Sequence, residues 1–117
     1  MATTITSVYT RTSTEDEFPK LSDQSSDFDV WRRQYFTDNG VDIAFSLSSD
    51  QLTLTVTIEH DSDATYEAYK TARDANADYI GKDGLVAWLN TATSDPDIGL
   101  TVTLVNDAGN SSQLWPE

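Results

Sequence analysis

The stretch from Val41 to His60 constrains the fold more than any other part of the chain. Apolar and polar residues alternate there in two runs, defined by eight apolar positions: Val41, Ile43, Phe45, Leu47, Leu52, Leu54, Val56 and Ile58. Period-two alternation is typical of a strand with one buried and one solvated face. Four polar residues, Ser48 to Gln51, separate the runs, which suits an antiparallel hairpin. The sequence therefore predicts two paired strands whose apolar side chains share a buried face.

Two helices are predicted, one on each side of the hairpin. Aromatic residues at helical spacing predict the first over Asp27–Asp38, with an apolar face formed by Phe28, Trp31, Tyr35 and Phe36. Asn39-Gly40 suits a left-handed end to that helix. The second is predicted from Asp63 to about Tyr79, with Ser62 or Asp63 as its N-cap. Its small residues predict close packing on the sheet: Ala64, Ala68, Ala72 and Ala75.

The order of elements predicts an α+β fold of the ferredoxin-like type. Strands are predicted over Thr3–Thr10 and Ile98–Leu104, and a short third helix over Leu85–Ala92. The resulting βαββαβ order implies an antiparallel sheet with helices on one face and the first and third strands in the middle. The other face would be half-exposed, and many proteins of this layout cover it by dimerising.

Two segments extend this plan. A long polar loop is predicted over Arg11–Ser26, and residues 106–117 are predicted as an extended polar tail without strand or helix pattern. We therefore predict a single domain over residues 1–105, followed by a C-terminal tail over residues 106–117.

Charge and composition exclude several functions. The 117-residue chain has 20 acidic and 7 basic residues, a net charge of −13, and no cysteine. Such a surface repels phosphates, so we expect neither nucleic acid nor membrane as a partner. Without cysteine there is no disulfide, thiolate catalysis or zinc–thiolate site. No apolar run approaches the ~20 residues of a membrane-spanning helix.

No complete catalytic or metal-binding set is visible. The single histidine, His60, ends a predicted strand between Glu59 and Asp61, and we interpret it as an ordinary surface residue. The glycines around Lys82 lack phosphate-loop spacing, and the acidic residues from Asp61 lack the glycine and the closing glutamate of a calcium loop. We therefore predict no enzymatic activity, no catalytic residues, no cofactor and no metal.

The stretch from Ser46 to Ala72 carries a family resemblance. Its order is a strand, a Ser-Asp turn, a Leu-Thr-Leu-Thr strand, an acidic cap and a tyrosine-containing helix. It resembles a small type of protein encoded among the virion genes of tailed bacteriophages. It is also similar to dimeric α+β barrel proteins, including the antibiotic-biosynthesis monooxygenase type. The first resemblance implies a non-enzymatic virion protein, located in the virion as a capsid decoration or a neck, tail or baseplate component.

Three functions follow as hypotheses. A virion component would act through contacts with other virion proteins or with itself as a homo-oligomer; we predict as its interface residues Phe18, Arg32, Arg33, Leu114 and Trp115. A small dimeric α+β barrel enzyme or ligand binder would instead use a pocket between sheet and helices; its candidates are Trp31, Tyr35, His60, Tyr66 and Trp88. An acidic inhibitor of a host protein would bind a basic groove in a salt-sensitive manner. A concave pocket with convergent polar groups would favour the second hypothesis.

Overall fold

A computed structural model describes residues 2–12, 26–79, 81 and 99–115 of the chain. In these ranges it contains five strands and two helices. The strands are β1 (Thr3–Thr10), β2 (Asp42–Leu47), β3 (Thr53–His60), β4 (Gly99–Val105) and β5 (Ser111–Trp115). The helices are α1 (Ser26–Asn39) and α2 (Asp63–Asp74). The short third helix predicted over Leu85–Ala92 and most of the predicted Arg11–Ser26 loop lie outside the described residues.

The strands form one antiparallel sheet in the order β2-β3-β1-β4-β5. The first four strands have the ferredoxin-like order, with β1 and β3 side by side as predicted. The prediction of an α+β fold of this type is confirmed. In the middle of the sheet Ile5 pairs with Ile58 on one side and Leu104 on the other, so the apolar rows of three strands coincide.

The fifth strand corrects the predicted tail. Ser111–Trp115 pairs with β4 and adds an edge to the sheet, with an irregularity in register between Val102 and Thr103. The turn before β5 is joined to the start of α2, because Asp63 N–H donates to the Asp107 carboxylate and Asp107 N–H donates to the Asp63 carboxylate. These two bonds fix a segment whose polar composition contains no strand pattern.

Both helices bury aromatic residues. The aromatic face of α1 is confirmed, since Phe28 and Phe36 are buried and Trp31 and Tyr35 are half-buried. Gly40 ends that helix at a φ of 66°, a left-handed conformation that glycine adopts without strain. In α2 the N-cap is Ser62, whose hydroxyl accepts the Thr65 N–H.

The predicted packing of α2 is wrong in two respects. The helix ends at Asp74, not near Tyr79, and its buried residues are Tyr66 and Tyr69. Of the alanines expected against the sheet, Ala64, Ala68 and Ala75 are exposed. Tyrosine buries far more apolar area than alanine, and this decides which face of the helix turns inward.

Candidate functional site

A cavity of about 290 Å³ lies between the sheet and the two helices. We call it the sheet–helix cavity. Its sheet side is formed by apolar residues from all five strands: Ile5, Ile43, Val56, Ile58, Val102 and Leu114. Its volume is close to the lower end of the ~300–1,000 Å³ typical of small-molecule sites.

Ser7 lies near the centre of the sheet side. It sits on the middle strand, and its neighbours in register are Val56 on β3 and Val102 on β4. All three residues line the cavity. A serine among branched apolar side chains occupies less volume than its neighbours, so space is left above it for another molecule.

Aromatic side chains form the walls. They are Tyr9, Phe28, Tyr66, Tyr69 and Tyr79. Burial raises the pKa of Tyr9 and of Tyr69 to about 12, although the positive charge of Arg32 acts against the shift in both. Both phenols are therefore uncharged near neutral pH.

Three cations line the cavity: Arg32 on α1 and Lys70 and Arg73 on α2. They are three of the seven basic residues in a chain with net charge −13. No carboxylate is found among the described lining residues. The charged side chains among the described lining residues are therefore cationic, opposite in sign to the net charge of the protein.

The cations lie against the aromatic walls. The Arg32 guanidinium is 5.8 Å from the centre of the Phe28 ring, and Lys70 Nζ is 4.8 Å from that of Tyr66. Arg73 is 4.8 Å from the Tyr79 ring. Lys70 and Arg73 also pair with Glu67 and Asp74, whose side chains are 65% and 63% exposed. Such solvated ion pairs are weak, so both cations can exchange their partner for a ligand anion.

His60 lies at one end of the cavity and is 1% exposed. The interpretation of His60 as a surface residue is therefore wrong. Its ring contacts the rings of Phe36, Tyr66 and Tyr69 at centroid distances of 6.1, 5.4 and 5.7 Å. In the described part of the chain, neither ring nitrogen has a hydrogen-bond partner. Burial lowers the pKa of His60, against a smaller opposing effect of Asp61.

The predicted pocket residues are partly brought together. His60 and Tyr66 line the cavity. Trp31 and Tyr35 pack beside Tyr69 in an adjoining aromatic cluster and do not line the cavity. Trp88 lies outside the described residues. Lys70 and Arg73 were missed, although Lys70 is four residues after Tyr66 and Arg73 four residues after Tyr69, a spacing that places all four on one helix face.

The predicted interface residues have different positions. Arg32 and Leu114 line the cavity, and Leu114 is 39% exposed. Arg33 is exposed on α1. Trp115 pairs with Val102 through the backbone of β5, and Phe18 lies outside the described residues. Their role in subunit contacts stays a prediction.

The described residues contain neither a cluster of metal-ligating side chains nor a helix suited to span a membrane. Within the described ranges, no three or more histidine, aspartate or glutamate side chains come together to hold a metal ion. None of the described helices has the length and apolar character needed to cross a membrane.

The comparisons with known proteins give little. No protein-family model matches the chain, and no curated protein matches it. A solved structure that is similar is the solution NMR structure of a de novo designed protein with a ferredoxin fold. It is 16% identical, the match covers 100% of this chain and 96% of that chain, and the TM-score is 0.45. The assignment of the fold therefore rests on the strand order and pairing described above.

Proposed function

We propose that this protein binds a small organic anion with an apolar, ring-containing body in the sheet–helix cavity. The observation that carries the proposal is the concentration of Arg32, Lys70 and Arg73 around an aromatic cavity in a strongly acidic chain. Solubility alone does not require this arrangement, because charged side chains exposed elsewhere on the surface provide it. This is the ligand-binding alternative among the hypotheses drawn from the sequence.

The two halves of the cavity suit the two halves of such a ligand. The apolar sheet side and the tyrosine walls would bury its rings, and rings stack favourably on aromatic side chains. The cations would bond its carboxylate or sulfonate, and a guanidinium can do so through two parallel hydrogen bonds. Partial burial of Lys70 and Arg73, whose side chains are 32% and 22% exposed, strengthens this attraction relative to open solvent.

Calorimetric titration with 2-naphthoate tests the proposal. We expect saturable binding of 2-naphthoate with one site per chain, and binding of the uncharged isostere 2-naphthamide weaker by about tenfold or more, because a charge-assisted hydrogen bond is lost. The Arg73→Gln variant should weaken 2-naphthoate binding about tenfold.

The matched control for Arg73→Gln is Arg33→Gln. It removes the same charge from an exposed position on α1 that does not line the cavity, and should leave the affinity within about twofold. Equal loss in both variants would assign the effect to overall charge, and equal affinity for naphthoate and naphthamide would contradict the proposal.

Self-association through the sheet face remote from the cavity is a second proposal. That face carries a threonine array, with Thr6 of β1 directly between Thr57 of β3 and Thr103 of β4. The charged side chains on its described strands are Asp42 and Glu59, which are adjacent at one corner. In a chain with net charge −13, two copies approach with least repulsion through this uncharged face.

The size of the face predicts a weak dimer. Five strands about 4.8 Å apart and about 23 Å long offer roughly 500 Å² per copy, below the ~800 Å² per partner of a standard interface. Sedimentation equilibrium should show a reversible dimer that Thr6→Lys abolishes and Thr71→Lys, on the exposed side of α2, does not. A strictly monomeric wild type at high concentration would overturn this second proposal.

A role in the virion of a tailed phage stays a proposal based on the sequence resemblance. The acidic composition is compatible with it, and the comparisons add nothing to it. Mass spectrometry of purified virions is the test. Peptides of this chain in stoichiometric amounts are expected, and their absence would overturn the role.

A further inference from the structure

The two ring nitrogens of His60 are buried and contribute no hydrogen bond to the described part of the structure. It is 1% exposed, lines the cavity and has no hydrogen bond at either Nδ1 or Nε2. A buried polar group without a partner is destabilising, whereas a phenylalanine would make the same ring contacts with Phe36, Tyr66 and Tyr69 without that penalty. The nitrogen atoms therefore call for a partner from outside the chain.

His60 and Arg73 lie against the same aromatic ring. The imidazole centre is 5.7 Å and the Arg73 guanidinium 5.9 Å from the centre of the Tyr69 ring. His60 is at the end of β3, whereas Arg73 is in the last turn of α2. A molecule that reaches both residues across the Tyr69 ring must therefore carry two polar groups, one for each residue, separated by an apolar ring body.

We infer that the ligand carries a hydroxyl-type group, separated from its anionic group by the ring body, and that His60 determines specificity by hydrogen bonding to it. This inference rests on the proposed function and names its ligand class as a hydroxylated ring carboxylate. A neutral imidazole has one N–H donor and one acceptor nitrogen, and a hydroxyl can satisfy either. Burial lowers the pKa of His60, which keeps the ring neutral at pH 7.

The test compares 6-hydroxy-2-naphthoate with 2-naphthoate by calorimetric titration at pH 7. For the wild type we expect the hydroxylated compound to bind about tenfold tighter, since it satisfies a buried polar group that the parent compound leaves unpaired. His60→Phe should abolish this preference, so that the two compounds bind this variant with equal affinity.

The possible results separate a failure of this inference from a failure of the proposed function. If the wild type binds both compounds equally, the inference fails and the proposed function stands. If neither compound binds, both fail. Retention of the full preference in His60→Phe would also overturn the inference. The wild-type comparison does not depend on the folding of the variant, whose folding circular dichroism and a cooperative melt would verify.

Discussion

A buried imidazole without a hydrogen bond lowers the stability of the protein that contains it. At position 60 we therefore expect His60→Phe to raise the free energy of unfolding by about 1 kcal/mol, because the ring contacts remain and the unpaired nitrogens disappear. His60→Ala should lower it by ~2 kcal/mol or more through the space it leaves. Urea titration measures both. A less stable His60→Phe protein would indicate that a partner for the imidazole exists within the chain.

The pKa of His60 predicts a pH dependence with a definite sign. Because the folded-state pKa lies below the ordinary value of 6.5, the unfolded chain takes up a proton first as the pH falls. The contribution of His60 to the free energy of unfolding is therefore unchanged above pH 6.5 and becomes less favourable to the folded state as the pH falls from 6.5 to the folded-state pKa. The difference in free energy of unfolding between wild type and His60→Phe should change between pH 7.5 and 5. A constant difference over that range would contradict the lowered pKa.

At the residue scale, the sequence shows which side chains are present but does not show which of them tertiary contacts bury. His60 stands between two acidic residues at the end of a strand, a context typical of the surface. It is buried because Phe36 from α1 and Tyr66 and Tyr69 from α2 close over the strand end. That closure depends on how distant elements meet, which no local pattern contains. The spacing of Tyr66, Tyr69, Lys70 and Arg73, by contrast, was visible in the sequence.

At the element scale, the alternation of apolar and polar residues predicted which strands pair, but not how deeply each apolar side chain is buried. The hairpin turn and the pairing of β2 with β3 are as expected, and the buried Val41 and Val56 confirm the inward face. On β2, however, Phe45 and Leu47 are 57% and 49% exposed. Both belong to an edge strand, where burial depends on what packs beyond the sheet as well as on the face a residue occupies.

The hairpin register gives a prediction with an internal control. Val56→Asp should abolish cooperative unfolding, because Val56 is 4% exposed in the apolar cluster with Ile5 and Leu100 and an unpaired charge there is costly. Thr55→Lys, one position earlier on the opposite face, should leave the protein folded. Thermal melts measure both. Similar melting temperatures for the two variants would show that the register is wrong.

The fifth strand gives a prediction about the C-terminal end. A chain ending at Asn110 loses β5 and leaves the hydrogen-bonding groups of β4 unpaired at an edge. We expect a lower melting temperature and faster aggregation than for the full chain, both followed by light scattering during heating. A truncated chain with unchanged melting temperature would show that residues 111–117 do not contribute to the domain.

At the scale of the whole molecule, the order and face of the elements followed from the sequence. The βαββαβ order and the pairing of β1 with β3 were predictable, because crossover handedness and the two-residue and 3.6-residue periods leave few arrangements. A pocket between sheet and helices was one of the hypotheses, and His60 and Tyr66 line the cavity, but the rest of its lining was not predictable. It depends on Ser7 lying in register with Val56 and Val102, and on three cations from two helices meeting above it.

Charge distribution links this scale to function. A net charge of −13 repels an approaching anion, whereas Arg32, Lys70 and Arg73 attract it once it is within a few ångströms. Screening acts over about 8–10 Å at physiological salt, so the repulsion is largely removed while the contacts in the cavity persist. The cavity can therefore retain an anion although the surface as a whole disfavours one.

The most direct test of a binding cavity is to locate the ligand on the folded protein. Titration of ¹⁵N-labelled protein with 2-naphthoate should shift the backbone amide resonances of Ser7, Tyr69 and Val102 in a saturable manner. Those of Thr55 and Thr101, on the opposite face, should stay in place, and 2-naphthamide should cause much smaller shifts at equal concentration. Absence of saturable shifts at the cavity residues, or shifts spread evenly over both faces, would contradict the proposed site.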